Sequence, residues 1–415
     1  MSTINVVMMG PRGCGKSSIL SVMLHDIQQF IENTMKSNPV FRDQAIVPTI
    51  KQIELLANND LSDGMRILKN LCNRARVTSD PFVPRVDPED ENKDEVINPT
   101  QRPVSYSIDF GMGNYHVLLN FKDFPGGFYS ASKLEANANS GYTIWSPEEI
   151  QEWESDIRKA DVIIVAVDAT TQLGDKPTVK DKSYYDRIAS LLRDSVEHSI
   201  TTVIFVPVKC EHRVLNVEWN QMVEQCKYNF STSACDDLRN EVDGLFQGLI
   251  DYFQKEDVYK NVDAYFAPMI TIGGIRFAGM KFNAETGRAA NSFVSAIPEN
   301  YDETPFLPLN CDKVFALCLM RTYPLLVKEW KKEMGPIETL KSWFSDKTPF
   351  EEFFVAFAES INFNKMRFTY FMKHPEVLTD AGRDVAMSIV KQIVESGRHD
   401  GCEALNWTYG ATEVY

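Results

Sequence analysis

The chain has 415 residues, 44% of them hydrophobic, and a formal net charge of −15. That length allows two or three domains with a sizeable core. The acidic balance excludes a dedicated nucleic-acid or anionic-membrane surface, which needs concentrated Lys and Arg. No apolar run reaches the roughly 18–20 residues of a bilayer span. The eight cysteines form no CxxC pair and no Cys/His cluster at zinc spacing. With no basic start leading into a long apolar run, the expectation is a cytoplasmic protein with reduced thiols.

The first predicted element is a short buried strand, INVVMM, residues 4–9. It runs into GPRGCGKSS, residues 10–18, which matches G-x-x-x-x-G-K-[ST] at Gly10, Gly15, Lys16 and Ser17. Beyond it Ile19, Leu20, Met23, Leu24, Ile27 and Ile31 recur at helical spacing. Strand, glycine loop and helix in that order make a phosphate cradle. Glycines turn the main chain tightly and aim N–H groups inward. The helix N-terminus adds its positive end. Lys16 reaches the outer phosphates, and the Ser17 hydroxyl is placed for Mg²⁺. The candidate cradle is therefore Gly10, Pro11, Arg12, Gly13, Cys14, Gly15, Lys16, Ser17 and Ser18, and its implied ligand is a nucleotide polyphosphate.

A long connection follows. IKQIELLA (50–57) and GMRILKNLCNRA (64–75) predict helices, and RVDPEDENKDEV (85–96) is an acidic run that cannot bury a core. Residues of about 36–98 thus read as a helical insertion. VSYSIDF (104–110) and YHVLLNF (115–121) alternate apolar and polar residues around a GMGN turn, which predicts an antiparallel hairpin. The hairpin leads directly into KDFPGG. Asp123 falls at a strand end, where a carboxylate can hold magnesium through a water. Gly126 follows three residues later, where a backbone N–H can face a terminal phosphate.

Three further strands are predicted in DVIIVAVDA (161–169), TVIFVPVKCEH (202–212) and AYFAPMITIGG (264–274), with helices around 181–198 and 236–254 between them. Alternation of this kind predicts an α/β fold with a mostly parallel sheet, one antiparallel edge strand and flanking helices. Ligands in such folds bind at the C-terminal ends of the strands, where these polar motifs collect. After about residue 300, NYDETPFLPLN reads as a linker. KVFALCLMRTYPLLVKEWKKEM, TPFEEFFVAFAESINFN and DAGRDVAMSIVKQIVESG then predict helices. The division expected is 1–300 for the nucleotide domain and 301–415 for a helical C-terminal region. The stripe Phe350, Phe353, Phe354, Phe357 reads as core, with a partner groove as the alternative.

The order of GPRGCGKSS, DFPGG, an apolar strand, VPVKCEH and a last strand ending in small residues resembles the Ras-like (TRAFAC-type) P-loop GTPase superfamily. More narrowly, it is similar to bacterial double-GTPase-type proteins of conflict and defence systems. The resemblance covers roughly residues 1–280. It implies GTP or GDP with Mg²⁺ as ligands, and hydrolysis that works a molecular switch through a protein effector. It places Lys209 over the guanine ring, Glu211 on the base edge and Thr271 in the last nucleotide-contacting loop. Val208 and Glu211 depart from the family's Asn/Thr and Asp, which leaves guanine as the expectation and adenine as the alternative. The resemblance also implies a switch threonine, supplied by Thr100 as a further magnesium and γ-phosphate contact. Metal contacts are then Ser17, Thr100 and Asp123, and the groups on the reacting phosphate are Lys16, Thr100 and Gly126.

The family's water-orienting Gln is replaced by Gly127. The polar stretch after it reads as a switch and offers Ser130, Ser132 and Glu135 without singling out one. Arg85 and Arg102 flank Thr100 and are candidate arginine fingers. A module that holds nucleotide without turnover, or an ATP-dependent enzyme or kinase, remains the alternative to a slow GTPase.

Overall fold

The computed structural model describes residues 2–11, 14–23, 48–55, 102–129, 145–170, 179–199, 201–214, 232–253, 255, 258, 262–273, 275–283, 288–295, 308–333 and 403–404. Arg12, Gly13, Arg85, Thr100, Ser130, Ser132, Glu135, the helices expected at 64–75 and beyond 334, and the Phe350–Phe357 stripe lie outside them.

The fold is α/β, with a mostly parallel sheet and flanking helices. Its strands are β1 (Ser2–Met9), β2 (Pro48–Leu55), β3 (Val104–Met112), β4 (Tyr115–Asp123), β5 (Val162–Asp168), β6 (Thr201–Val208), β7 (Val262–Phe266), β8 (Ile275–Asn283), β9 (Arg288–Ser295) and β10 (Glu403–Ala404). Its helices are α1 (16–23), α2 (Pro147–Arg158), α3 (Val179–His198), the short α4 (Glu211–Val214), α5 (Thr232–Leu245), α6 (Gln247–Phe253), α7 (Cys311–Met320) and α8 (Tyr323–Glu333). Among the described residues one sheet runs in the order β10-β7-β6-β5-β1-β4-β3-β2, and β8 and β9 form a separate hairpin. The five strands from β4 to β7 are parallel, whereas β3 against β4, β2 against β3 and β10 against β7 are antiparallel.

Residue patterns follow the covering of the sheet. In β5 Val162 to Val167 are all buried, and β6 is buried throughout, because helices cover both faces there. Val7, Met9, Ile163, Val165 and Val167 pack with Trp153, Leu192, Phe246 and Phe253 on one face. β3 and β4 instead alternate. Tyr106, Ile108, Phe110, Val117, Leu119 and Phe121 are buried, while the intervening residues are largely half-buried polar groups. The buried face of that hairpin meets α7, where Phe121 stacks on Phe315 with ring centroids 6.1 Å apart. The start of α2 shows equally local logic. Ser146 and Glu149 form a reciprocal capping box, and Pro147 occupies the first turn.

One expectation is corrected. IKQIELLA is not helical over the described residues: Pro48–Leu55 is β2, an edge strand paired antiparallel with β3. Its register shifts between Gln52 and Glu54. A bulge there breaks the two-residue period, so the sequence mimics helical spacing. An isolated short helix is marginal, and pairing with a preformed strand outweighs it. The stretch after Gly127, expected as a polar switch, lies mostly outside the described residues, and its start is aromatic and buried. Gly126–Tyr129 makes a tight 3-10 turn, and Phe128 and Tyr129 are wholly buried. Phe124, Phe128, Trp145 and Trp153 form an aromatic cluster that draws this turn into the core.

Phe315 has no exposed surface and anchors α7 to the sheet. Phe315→Ala should cost about 3–5 kcal/mol in urea unfolding, as for a full core position. A loss below about 1 kcal/mol would show that α7 is peripheral to the core.

Candidate functional site

The site grows out of the end of β1. Gly10 has φ +152°, and a Cβ there would lie 2.8 Å from the Ala166 carbonyl oxygen and 2.8 Å from Cys14 Sγ. No side chain fits, so the loop leaves β1 pressed against the end of β5. Gly15 has open space around it but φ +105°, a conformation that L residues rarely adopt. The Ile19 N–H then donates to the Gly15 carbonyl at 2.9 Å and starts α1. Ile19, Leu20, Val22 and Met23 bury that helix in the core.

Lys16 is 6% exposed, and its ammonium donates to the carbonyls of Gly10 at 3.0 Å and Pro11 at 3.2 Å. The charge therefore stands over the loop. Ser17 Oγ donates to Asp123 Oδ2 at 2.6 Å, across 106 residues of chain. Asp123 is 2% exposed, and its Oδ1 is buried without a hydrogen-bond partner among the described residues. Burial raises the Asp123 pKa, while Lys16 and the Ser17 hydroxyl oppose that rise. A buried carboxylate oxygen with nothing to bond is costly. It fits a small hard cation, for which carboxylate and hydroxyl oxygens are the natural donors. Among the described residues no group of three His, Cys, Asp or Glu side chains could hold a metal alone. Mg²⁺ would need further oxygens from phosphate and water, which is its usual habit.

The surroundings are dry. Tyr129 donates to the Met8 carbonyl at 3.3 Å, and burial and the nearby Asp123 and Cys14 hold its pKa well above the usual range. Tyr106 is pushed up to about 12, chiefly by burial and then by Asp123. Gly126 and Gly127 are buried in the turn that ends at Tyr129.

A second group of residues stands at the ends of β5, β6 and β7. Lys209 takes φ +58°, and its ammonium donates to Asp168 Oδ2 at 2.7 Å. Glu211 opens α4, is 6% exposed, and has its pKa pushed up to about 7 by burial. Its own backbone N–H and Lys209 moderate that rise. Cys210 Sγ lies 3.8 Å from the carbonyls of both Pro207 and Met269, which joins this loop to the segment carrying buried Thr271. Cys14 ties the two groups together. Burial raises its pKa, and it feels the charges of Lys16, Lys209, Asp168 and Asp123.

Of the residues singled out in the sequence, Gly10, Pro11, Cys14, Gly15, Lys16, Ser17 and Ser18 lie on the loop, Asp123 meets it through Ser17, and Gly126 opens the buried turn after β4. Lys209, Glu211 and Thr271 lie at the neighbouring strand ends. Arg102 is 80% exposed and 4.0 Å from Glu149 at the start of α2. Asp168 and Tyr129 were not anticipated. The signal for Asp168 was available, as the acid that ends an otherwise apolar strand.

No protein-family model matches the chain, and no curated protein matches it. Among solved structures it is similar to the S. cerevisiae Ski7 GTPase-like domain bound to GDP and inorganic phosphate. That likeness has 12% identity and a TM-score of 0.29, covering 73% of this chain and 47% of that one. It is also similar to the bacterial selenocysteine-specific elongation factor EF-Sec, with 12% identity and a TM-score of 0.23, covering 74% and 45%. The chain spans just under half the length of either.

A carboxyl titrating near 7 in the fold, against an ordinary 4.5, binds its proton more tightly when folded. Stability is therefore lost as pH rises from 4.5 through 7, by roughly 3 kcal/mol in all. Glu211→Gln is neutral throughout. In urea unfolding it should be close to wild type near pH 4.5 and more stable by roughly 3 kcal/mol at pH 8. A difference independent of pH would place Glu211 in water.

Proposed function

We propose that the chain binds a guanine nucleotide with Mg²⁺ at the C-terminal edge of its sheet, hydrolyses it slowly and acts as a nucleotide-dependent molecular switch. The observation that carries this reading is the Ser17–Asp123 pair, with its orphaned carboxylate oxygen, beside the Lys16 ammonium. The loop backbone and the N-terminus of α1 receive phosphate oxygens. Lys16 exchanges its two carbonyl partners for the outer phosphates, a stronger charge-assisted pairing. The Ser17 hydroxyl, and Asp123 through a water, would hold Mg²⁺, which would neutralise charge on the phosphates. The Gly126 N–H faces the terminal phosphate, and Thr100 completes the set as the switch residue.

Glu211 accepts the two donors that guanine presents, N1–H and the 2-amino group, while Lys209 and Thr271 line the base loop. Adenine offers an acceptor to the same carboxylate, which weighs against the ATP-dependent reading. Slow turnover rests on Gly127, which has no side chain to orient water and is buried in the turn. The same observation favours the second reading, a module that holds nucleotide without turnover. We further propose that residues 1–300 are the nucleotide unit and 301–415 a helical addition. The likeness of GPRGCGKSS, DFPGG and VPVKCEH to bacterial double-GTPase-type proteins supports a cytoplasmic role in a defence system through a protein effector.

Calorimetric titration tests the reading. GTP with Mg²⁺ should bind at least roughly a hundredfold more tightly than ATP. Lys16→Ala should abolish most of that binding while the protein remains folded. Guanine needs the ionised carboxylate, so GTP affinity should fall about tenfold per pH unit below 7, a slope that Glu211→Gln removes. Single-turnover hydrolysis should proceed on the order of 10⁻⁴–10⁻² per second. Equal affinity for ATP and GTP would remove Glu211 from the base site, and near-wild-type binding by Lys16→Ala would remove the phosphate site.

A further inference from the structure

We propose that Asp168 is a positioning residue for the nucleobase: it fixes Lys209, and through it the wall of the base pocket. The proposal rests on the guanine-nucleotide reading above and deepens it.

Lys209 follows the last residue of β6, in a left-handed turn at φ +58° that a non-glycine residue adopts only when its surroundings hold it there. At the preceding position, where the resemblance implies Asn or Thr, stands Val208. It is 1% exposed and has no side-chain polar atom to brace the loop. The brace comes instead from the adjacent strand. Asp168 and Val208 are register partners in the parallel pair β5–β6, so the carboxylate of one strand end lies beside the residue that precedes Lys209. Oδ2 of Asp168 accepts from the Lys209 ammonium at 2.7 Å, and Oδ1 accepts from the Thr170 N–H at 3.1 Å. Both oxygens are engaged, so the carboxylate cannot swing away without losing a bond.

The backbone around Asp168 is held as well. Its N–H donates to the Tyr185 hydroxyl at 3.3 Å, and the Ala169 N–H donates to the Val208 carbonyl at 3.0 Å. Tyr185 is itself buried edge-on against Phe246. The ion pair is largely shielded, with 13% of the Lys209 side chain and 29% of the Asp168 side chain exposed, so water screens it less than a surface pair. An ammonium tied to β5 draws the aliphatic stem of Lys209 from the end of β6 across to the end of β5. The loop after β1 abuts the same place, since Gly10 lies against Ala166 two residues before Asp168. A base held next to the phosphates in the loop would lie along that stem. Preorganising the stem removes an ordering cost from binding.

This role has a signature distinct from that of Glu211. A stem against a ring face is indifferent to which purine it covers, whereas Glu211 reads the base edge. Asp168→Asn keeps the shape and the Thr170 bond but loses the charge. It should weaken GTP and ATP by the same factor, about tenfold, and leave their ratio unchanged. Inorganic tripolyphosphate with Mg²⁺ uses the loop alone, so its affinity should be that of wild type. Lys209→Met should reproduce the loss, and Asp168→Asn should add nothing further in the Lys209→Met background.

Titration calorimetry of the wild type, both single variants and the double variant with GTP, ATP and tripolyphosphate decides the matter. Parallel loss of GTP and tripolyphosphate affinity would make Asp168 a structural residue of the whole site and overturn the proposal. Additive effects in the double variant, or unchanged GTP affinity in Asp168→Asn, would overturn it as well. If Asp168→Asn does not fold, Lys209→Met alone carries the test: GTP affinity must fall while tripolyphosphate affinity holds. A wild type that binds tripolyphosphate but no purine nucleotide more tightly would overturn the guanine reading itself and the proposal with it.

Discussion

The close approach of the loop after β1 to the end of β5 governs much of this molecule. Gly10 lies against the Ala166 carbonyl with no room for a methyl group. β5 is therefore the wall against which the loop is formed. Two residues further along, the same strand ends in Asp168, which grips Lys209 from β6. On the other side β1 pairs with β4, whose last residue, Asp123, meets Ser17 in the first turn of α1. One strand thus sits between two neighbours that each end in an acid, and each acid is matched by a residue from a different loop.

The ionisable groups at this edge of the sheet are three acids and two lysines. Asp123 feels the charge of Lys16, Asp168 and Glu211 that of Lys209, and Asp123 and Glu211 are nearly buried. Their environments separate them. Asp123 and Glu211 are both pushed towards the neutral form by burial, while Asp168 is held in an ion pair. A carboxylate oxygen in a dry pocket without a donor is a strong demand on whatever enters. It also explains why a lysine must stand close by. Without Lys16 the acids would oppose any polyanion approaching the loop.

Much of this was legible in the sequence. A glycine-rich turn between an apolar run and a 3.6-period segment has few other meanings, and buried parallel strands announce themselves as unbroken apolar runs. What could not be read were features set by distant partners. β2 looks helical because a bulge scrambles its alternation, and only the edge of β3 makes it a strand. Phe128 and Tyr129 lead a stretch that is polar on average, and their burial depends on Trp145 and Trp153. Asp168 ends a strand as many solvated acids do, and its partner arrives 41 residues later. The β8–β9 hairpin was likewise missed, although its two strands are of similar length and only four residues of sequence, Gly287 among them, lie between them.

The order of the strands has a consequence for how the chain is made. β1 lies at the middle of the sheet, yet its two neighbours, β4 and β5, begin at Tyr115 and Val162. Its pairing must wait for more than a hundred residues to leave the ribosome. The apolar face that holds Phe121 waits longer still, for Phe315. At roughly 5–20 residues per second, the interval between β1 and α7 is on the order of 15–60 s. Until β4 and β5 emerge, Val6, Val7, Met8 and Met9 are a sticky ribbon without a partner, and the hairpin face around Phe121 stays open until α7 is made. A chain of this design is exposed to aggregation during synthesis more than after it, and its yield in a cell depends on what shelters these apolar strands until α7 closes over the hairpin.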